Sequence, residues 1–167
     1  MDVVSFVVSF FAFILSGIVA FIQWKNRDES RRARDINVML KVFETMDSDE
    51  FREDRAYVYA LGRDNDGWKD IPQLIKRIGE SRVKQIERTI SKFDSIGYFL
   101  LHGFSQKQEI PQWIFEITHE IWRRLEPLIT YFRTQEGRQN GYALYFEQLD
   151  RFSITAMSNQ THQSKGK

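Results

Sequence analysis

Glu116-Ile-Thr-His119 is the one place in the chain where residue types and spacing fit a metal reaction. Glu and His three residues apart project to one side of a helix, the ligand pattern of carboxylate di-metal bundles. A full site wants two such motifs and two further Glu. This chain carries one, so a centre needs a second copy, with Glu87 or Glu147 as added ligands. The plainer reading is a solvated Glu116 and a partly buried His119. It asks for nothing more, so no metal or other cofactor is expected, and Glu116 and His119 are kept as weak candidates.

The other chemical patterns are incomplete. His119-Glu120 lacks the second His of a zinc-protease helix, because Arg123 stands there. No Ser sits in a Gly-x-Ser-x-Gly elbow, and the chain has three His and no Cys. That excludes a thiol nucleophile, a thiolate metal site and a disulfide. Gly62 and Gly67 have phosphate-loop spacing, but Trp68 replaces the Lys. Asp64-Asn65-Asp66-Gly67 resembles part of a calcium loop, yet Trp68 and Ile75 occupy positions that need oxygen ligands. Trp122-Arg123-Arg124 and Tyr131-Phe132-Arg133 interleave aromatic and basic residues as RNA-binding surfaces do. Glu120, Glu126 and Glu136 cancel that charge, and the whole chain balances 24 Lys and Arg against 23 Asp and Glu, net +1. No nucleic-acid partner is expected, and no catalytic residue: the chain reads as a non-enzyme.

The 167 residues include 14 Phe, yet mean hydropathy is −0.45. Apolar residues must therefore be gathered. Residues 3–24 carry no charge. As a helix at ~1.5 Å per residue this run is about 33 Å long, against ~30 Å for a hydrocarbon core. A lone strand cannot satisfy its backbone in lipid, so a helix is expected. The start, Met1-Asp2, lacks the basic region of a cleavable leader, and no small-x-small cleavage site follows. The run is predicted to be an uncleaved anchor. Lys25, Arg27, Arg31, Arg32 and Arg34 follow it, with no basic residue before. The positive-inside rule then puts the N-terminus outside and the rest in the cytoplasm of a bacterial inner membrane. These five residues fix topology and suit anionic lipid headgroups. Ser5, Ser9, Ala12, Ser16 and Ala20 share an arc of about 80° at ~100° per residue. Such a stripe lets a second helix approach closely, from this chain or another membrane protein.

Beyond the anchor every strong periodicity is helical, so the fold class is all-α: a transmembrane helix and a cytoplasmic bundle of five or six helices. The expected organisation is 1–24 stub and transmembrane helix, 25–35 basic juxtamembrane segment, 36–155 bundle, and 156–167 disordered tail with no apolar residue from Ser158 on. The first bundle helix is predicted to face inward through Ile36, Met39, Leu40, Phe43 and Met46. Nothing between Trp24 and Asp35 is Gly or Pro, so it can continue from the span. A second helix turns Phe51, Val58 and Leu61 inward. A short one is interrupted near Pro72, and a long one carries Val83, Ile86, Ile90, Phe93 and Leu100. Pro111 opens the next, whose stripe is Ile114, Ile117, Ile121, Leu125, Leu128 and Phe132, with a kink at Pro127. The last holds Tyr142, Tyr145, Phe146, Leu149 and Phe152.

The chain resembles a family of small single-pass bacterial membrane proteins that carry a domain of unknown function. The likeness rests on Phe93-Asp-Ser-Ile-Gly97 leading to Leu101-His-Gly103, then Ile121-Trp122, Leu125-Glu-Pro127, Arg133, Tyr145-Phe146-Glu147 and Leu149. These are packing and turn positions. The resemblance implies an inner-membrane setting and a helical cytoplasmic domain, with no activity or ligand to transfer. The expected function is a membrane-anchored interaction protein, an accessory subunit or scaffold of a membrane complex. The alternatives are an oligomerising membrane effector in a stress or phage-defence system, and a metal-dependent helical-bundle enzyme.

Overall fold

Backbone amides that have no strand partner must bond within helices, and the chain does so almost throughout. The computed structural model describes residues 3–61, 70–105, 107–135 and 141–164, without the side chains of 3–12, 14, 108 and 159–164. Among the described residues there are six α-helices and no strand: α1 Val3–Asp47, α2 Asp49–Leu61, α3 Ile71–Ile78, α4 Glu80–Tyr98, α5 Gln112–Arg133 and α6 Leu144–Ser164. A π turn, Phe99–Gly103, extends α4.

α1 runs unbroken for 45 residues. Only its last turns dock, burying Val42 and Met46 with Val38 and Met39 partly covered. Ile36, Leu40 and Phe43, expected inward, stay exposed. The helix carries two apolar stripes, and period alone does not say which one meets the bundle. Among the described residues no helix is long and apolar enough to cross a membrane. Half of the expected span, residues 3–24, lies on side chains outside those described. So do the association-face residues Ser5, Ser9 and Ala12, whereas Ser16 and Ala20 are exposed. The described structure by itself thus gives no membrane-spanning helix.

α1 stops where Ser48 breaks the ladder, and Arg55 Nη2 donates to the terminal Met46 carbonyl at 2.8 Å, a favourable place for a cation. α3 starts at Ile71, so Pro72 falls in its first turn rather than interrupting it. Asp70 caps it by accepting the Gln73 amide at 3.0 Å, and a proline in the first turn forfeits no helical bond. α5 begins one residue after Pro111 and runs through Pro127 to Arg133. Its predicted stripe is buried apart from Ile117, which is half-buried. Tyr142 sits in the turn before α6, not on it. α6 continues to Ser164, through the stretch where composition predicts disorder, because extending a formed helix avoids the cost of nucleation.

The core is an aromatic chain. Phe51, Phe93, Phe146 and Trp122 follow one another at centroid separations of 5.2, 4.8 and 5.0 Å. α4 and α6 meet at Gly97, where a Cβ would lie 2.6 Å from the Tyr145 carbonyl carbon. Asp94, one turn earlier, accepts the Tyr145 and Phe146 amides at 2.7 and 3.0 Å. A carboxylate from α4 therefore caps the N-terminus of α6, the end with unsatisfied donors and positive partial charge.

Candidate functional site

The exposed part of α1 and the groove beside it form the best-defined surface. Lys25, Arg27, Arg31, Arg32 and Arg34 are all exposed on the helix, Arg32 pairing with Asp28 at 3.2 Å. They occupy about 14 Å of helix length. Arg27, Arg31 and Arg34 repeat at 4 and 3 residues, so they share a face. Nearer the N-terminus, Leu15, Ile18, Ile22 and Trp24 are at least half exposed.

Below the arginines, Ile36 is 60% and Leu40 53% exposed. Phe43 stacks on Trp113 at the start of α5, 5.7 Å between centroids. These side chains line an open groove of about 610 Å³ with Met39, Phe104, Arg32 and Glu109. Asp35, buried at its back, accepts the Ser105 amide at 3.0 Å and also the Ser105 hydroxyl. That pair fastens the Phe104 segment to α1 and fixes the groove width. Sequence reasoning missed this site because it assigned Ile36, Leu40 and Phe43 to the core. The available signal was Val38 and Val42, in line at i, i+4 with Met46, which was expected inward and is buried.

The metal candidates separate. Glu116 is exposed and accepts from Gln112 Nε2 at 2.7 Å. His119 turns to α6, its Nδ1 2.8 Å from Asp150 Oδ1. Burial pushes the Asp150 carboxyl above its ordinary range, opposed by His119. Glu147 is held by Arg133 at 2.9 Å and Arg151 at 2.5 Å. Burial acts to raise it, but the two guanidiniums keep it below the usual carboxylate range. Among the described residues no three His, Asp or Glu are placed to hold a metal. The aromatic–basic runs are also used internally. Trp122 and Phe132 are buried. Arg124 binds Glu120 and the Tyr59 carbonyl, and Arg133 binds the Tyr142 carbonyl. The Gly62–Gly67 loop and Asp64-Asn65-Asp66 lie outside the described residues.

A charged cleft between α2 and α4 was not foreseen. Asp54, 1% exposed, accepts from Arg88 Nε and Nη2 at 2.6 and 2.7 Å. Arg88 also meets Glu50 at 2.9 Å, and Lys92 meets Glu50 at 2.8 Å. Burial acts to raise the Asp54 pKa, but the Arg88 hydrogen bonds prevail and it lies below its ordinary value. A depressed folded pKa contributes stability above the unfolded value of about 4, lost as pH falls through the folded one. Asp54→Asn is expected to cost about 1–2 kcal/mol at pH 7, the smaller figure reflecting the half-exposed Arg88. It should also flatten the loss of stability between about pH 5 and 2. Urea midpoints of both proteins at pH 7 and 3 check this; equal acid losses would remove Asp54 from the account.

Residues 3–151 match DUF4760, a domain of unknown function. The chain belongs to the DUF4760 family. No curated protein and no solved structure matches it. The DUF4760 match begins at the first residue of the uncharged run and ends at Arg151, two residues past the last buried apolar side chain, Leu149. It therefore takes in α1, the groove and the α4–α6 junction. Within the DUF4760 domain Gly97 and Phe146 serve packing and Asp94 caps α6, while Arg133 and Glu147 pair beside the Tyr142 turn.

Proposed function

We propose that this DUF4760 protein is a membrane-anchored, non-enzymatic interaction protein, held at the bacterial inner membrane by residues 3–24 with its helical domain in the cytoplasm. The observation that carries the reading is the N-terminal half of α1. Phe13, Leu15, Ile18, Phe21, Ile22 and Trp24 lie exposed along a helix that continues an uncharged run. Apolar surface of that extent needs an apolar surrounding. Lipid suits it, because the run has the length of a hydrocarbon core and the basic residues follow on one side only. Lys25 and Arg27 then sit at headgroup level, and the surface potential reaches Arg31 and Arg34. The bundle below presents the groove to a protein partner in the cytoplasm. Glu116 and His119, turned to different neighbours, favour this over a metal enzyme.

Membrane fractionation with carbonate extraction tests the anchor. The full chain should stay in the pellet, and Phe11→Asp, a charge near mid-span costing about 3 kcal/mol on insertion scales, should release most of it. A wild-type chain found in the supernatant would overturn the reading. Purification of the tagged chain from its own membranes in mild detergent, read by mass spectrometry, then identifies any stoichiometric foreign subunit.

A further inference from the structure

Ile36 and Leu40 on the groove face of α1 lie mostly open, and Phe43, stacked on Trp113 along one side, is still exposed. Val38, Val42 and Met46 dock α1 onto its own bundle, while Ile36, Leu40 and Phe43 lie about a third of a turn away around the helix. Lipid does not reach them. Ile36 is about 18 Å and Phe43 about 28 Å past Trp24 along the axis, and the headgroup layer is only ~5–8 Å deep. A helix tilt of ~40° leaves both outside it.

Their spacing points to the occupant. Ala33, Ile36, Leu40 and Phe43 alternate at 3, 4 and 3 residues, the seam of a heptad repeat. The same count runs back through Ile22, Val19 and Leu15 without a break in register, on one uninterrupted helix. It reaches Ala12 and Ser5 of the small-residue stripe. The polar seam positions between Ile22 and Ala33, Asn26 and Glu29, fall at headgroup level, where water reaches them. An Asn at such a site is a known means of fixing register. Two copies anchored in one membrane hold α1 parallel and at equal depth, which is the alignment a heptad pair needs.

We infer that Ile36, Leu40 and Phe43 form one side of a parallel two-stranded seam with α1 of a second copy of this chain. The contact is two-fold symmetric, so the same patch serves both copies. It rests on the proposed anchor, which supplies the parallel, level arrangement. Confinement in the bilayer makes the second helix an effectively local partner, so a modest contact area suffices.

The chain has no cysteine, so single substitutions report position cleanly. Ile36→Cys, Leu40→Cys, Arg34→Cys and Lys41→Cys are oxidised in native membranes, each in the full chain. Disulfides need Cα atoms within about 7 Å, so seam positions should yield ~10-fold more covalent homodimer than Arg34→Cys and Lys41→Cys. Adding Leu40→Asp to Ile36→Cys should abolish the product. Leu40 is exposed in the single chain, so its change leaves the fold intact. Even cross-linking at all four positions, none at any, or adducts to a different protein would overturn the seam. Carbonate extraction of the same membranes separates the two readings. A chain retained in the pellet without phased cross-links loses the seam alone; a chain released into the supernatant loses both seam and anchor.

Discussion

Replacing Phe93 with Ala should lower the stability of the helical domain by about 3–5 kcal/mol. Phe93 is fully buried and sits in the middle of the aromatic chain, against Phe51 on α2 and Phe146 on α6. Its removal takes away contacts to two helices at once and leaves a cavity walled by rigid rings. Such walls collapse poorly, which puts the cost toward the upper end of the range. Chemical denaturation of the full chain in detergent, followed by tryptophan fluorescence, measures the change. Trp122 lies edge-on to Phe146 and reports on the same core. Ile121→Ala, at an equally buried α5 position, should cost about 2–5 kcal/mol by the same mechanism. A midpoint unmoved by either substitution would contradict the packing described.

Gly97→Ala should be at least as damaging as most core truncations, at about 3 kcal/mol or more, though it adds only one methyl group. In a helix interior, Ala normally stabilises by roughly 1 kcal/mol over Gly. Here the added carbon meets the Tyr145 carbonyl, and the Phe146 amide lies 3.2 Å away. These are backbone atoms at the start of α6, so they cannot rotate aside. The two helices must separate, which stretches both Asp94 hydrogen bonds and pulls Phe146 off Phe93. Gly103→Ala is the graded control. Its Cβ would meet only side-chain carbons of Val38, the nearer at 3.0 Å, and no backbone atom, so a shift of a few tenths of an ångström relieves it. Thermal or urea unfolding of the two variants side by side should rank Gly97 well above Gly103. The reverse order would place the α4–α6 contact elsewhere.

Much of the bundle was legible because amphipathic helices write their own boundaries. Ile114, Ile121, Leu125, Leu128 and Phe132 repeat at helical spacing and are buried as that spacing predicts. Phe93-Asp-Ser-Ile-Gly97 was legible as a packing and turn motif. Its mechanism was not, because Asp94 and Gly97 act on Tyr145 and Phe146, some fifty residues away. Nothing local distinguishes a carboxylate that caps a remote helix from a solvated one. The Pro72 error has a similar source. Proline inside an apolar run suggests a break, whereas Asp70 two residues earlier, acting as a cap, makes it a beginning. The metal candidates face different neighbours. Glu116 and His119 share a helix side, but Gln112 and Asp150 draw their heads apart.

The sequence by itself determined that this is an all-α chain with an uncharged N-terminal run, a basic flank and no complete catalytic motif. Those properties are set by local composition and by periodicities shorter than one helix. Tertiary structure alone decided which stripe of α1 meets the bundle. Val38, Val42 and Met46 and the rival Ile36, Leu40 and Phe43 are both apolar and both helical in period. The choice between them lies largely in the π turn after α4, where Gly103 comes up against Val38 and Phe99 lies under Lys41, roughly sixty residues away in sequence. It also fixed Asp35 as the buried anchor of Ser105, and so gave the groove its walls. Burial is a property of the neighbours that arrive, and a helix cannot encode its neighbours within its own repeat.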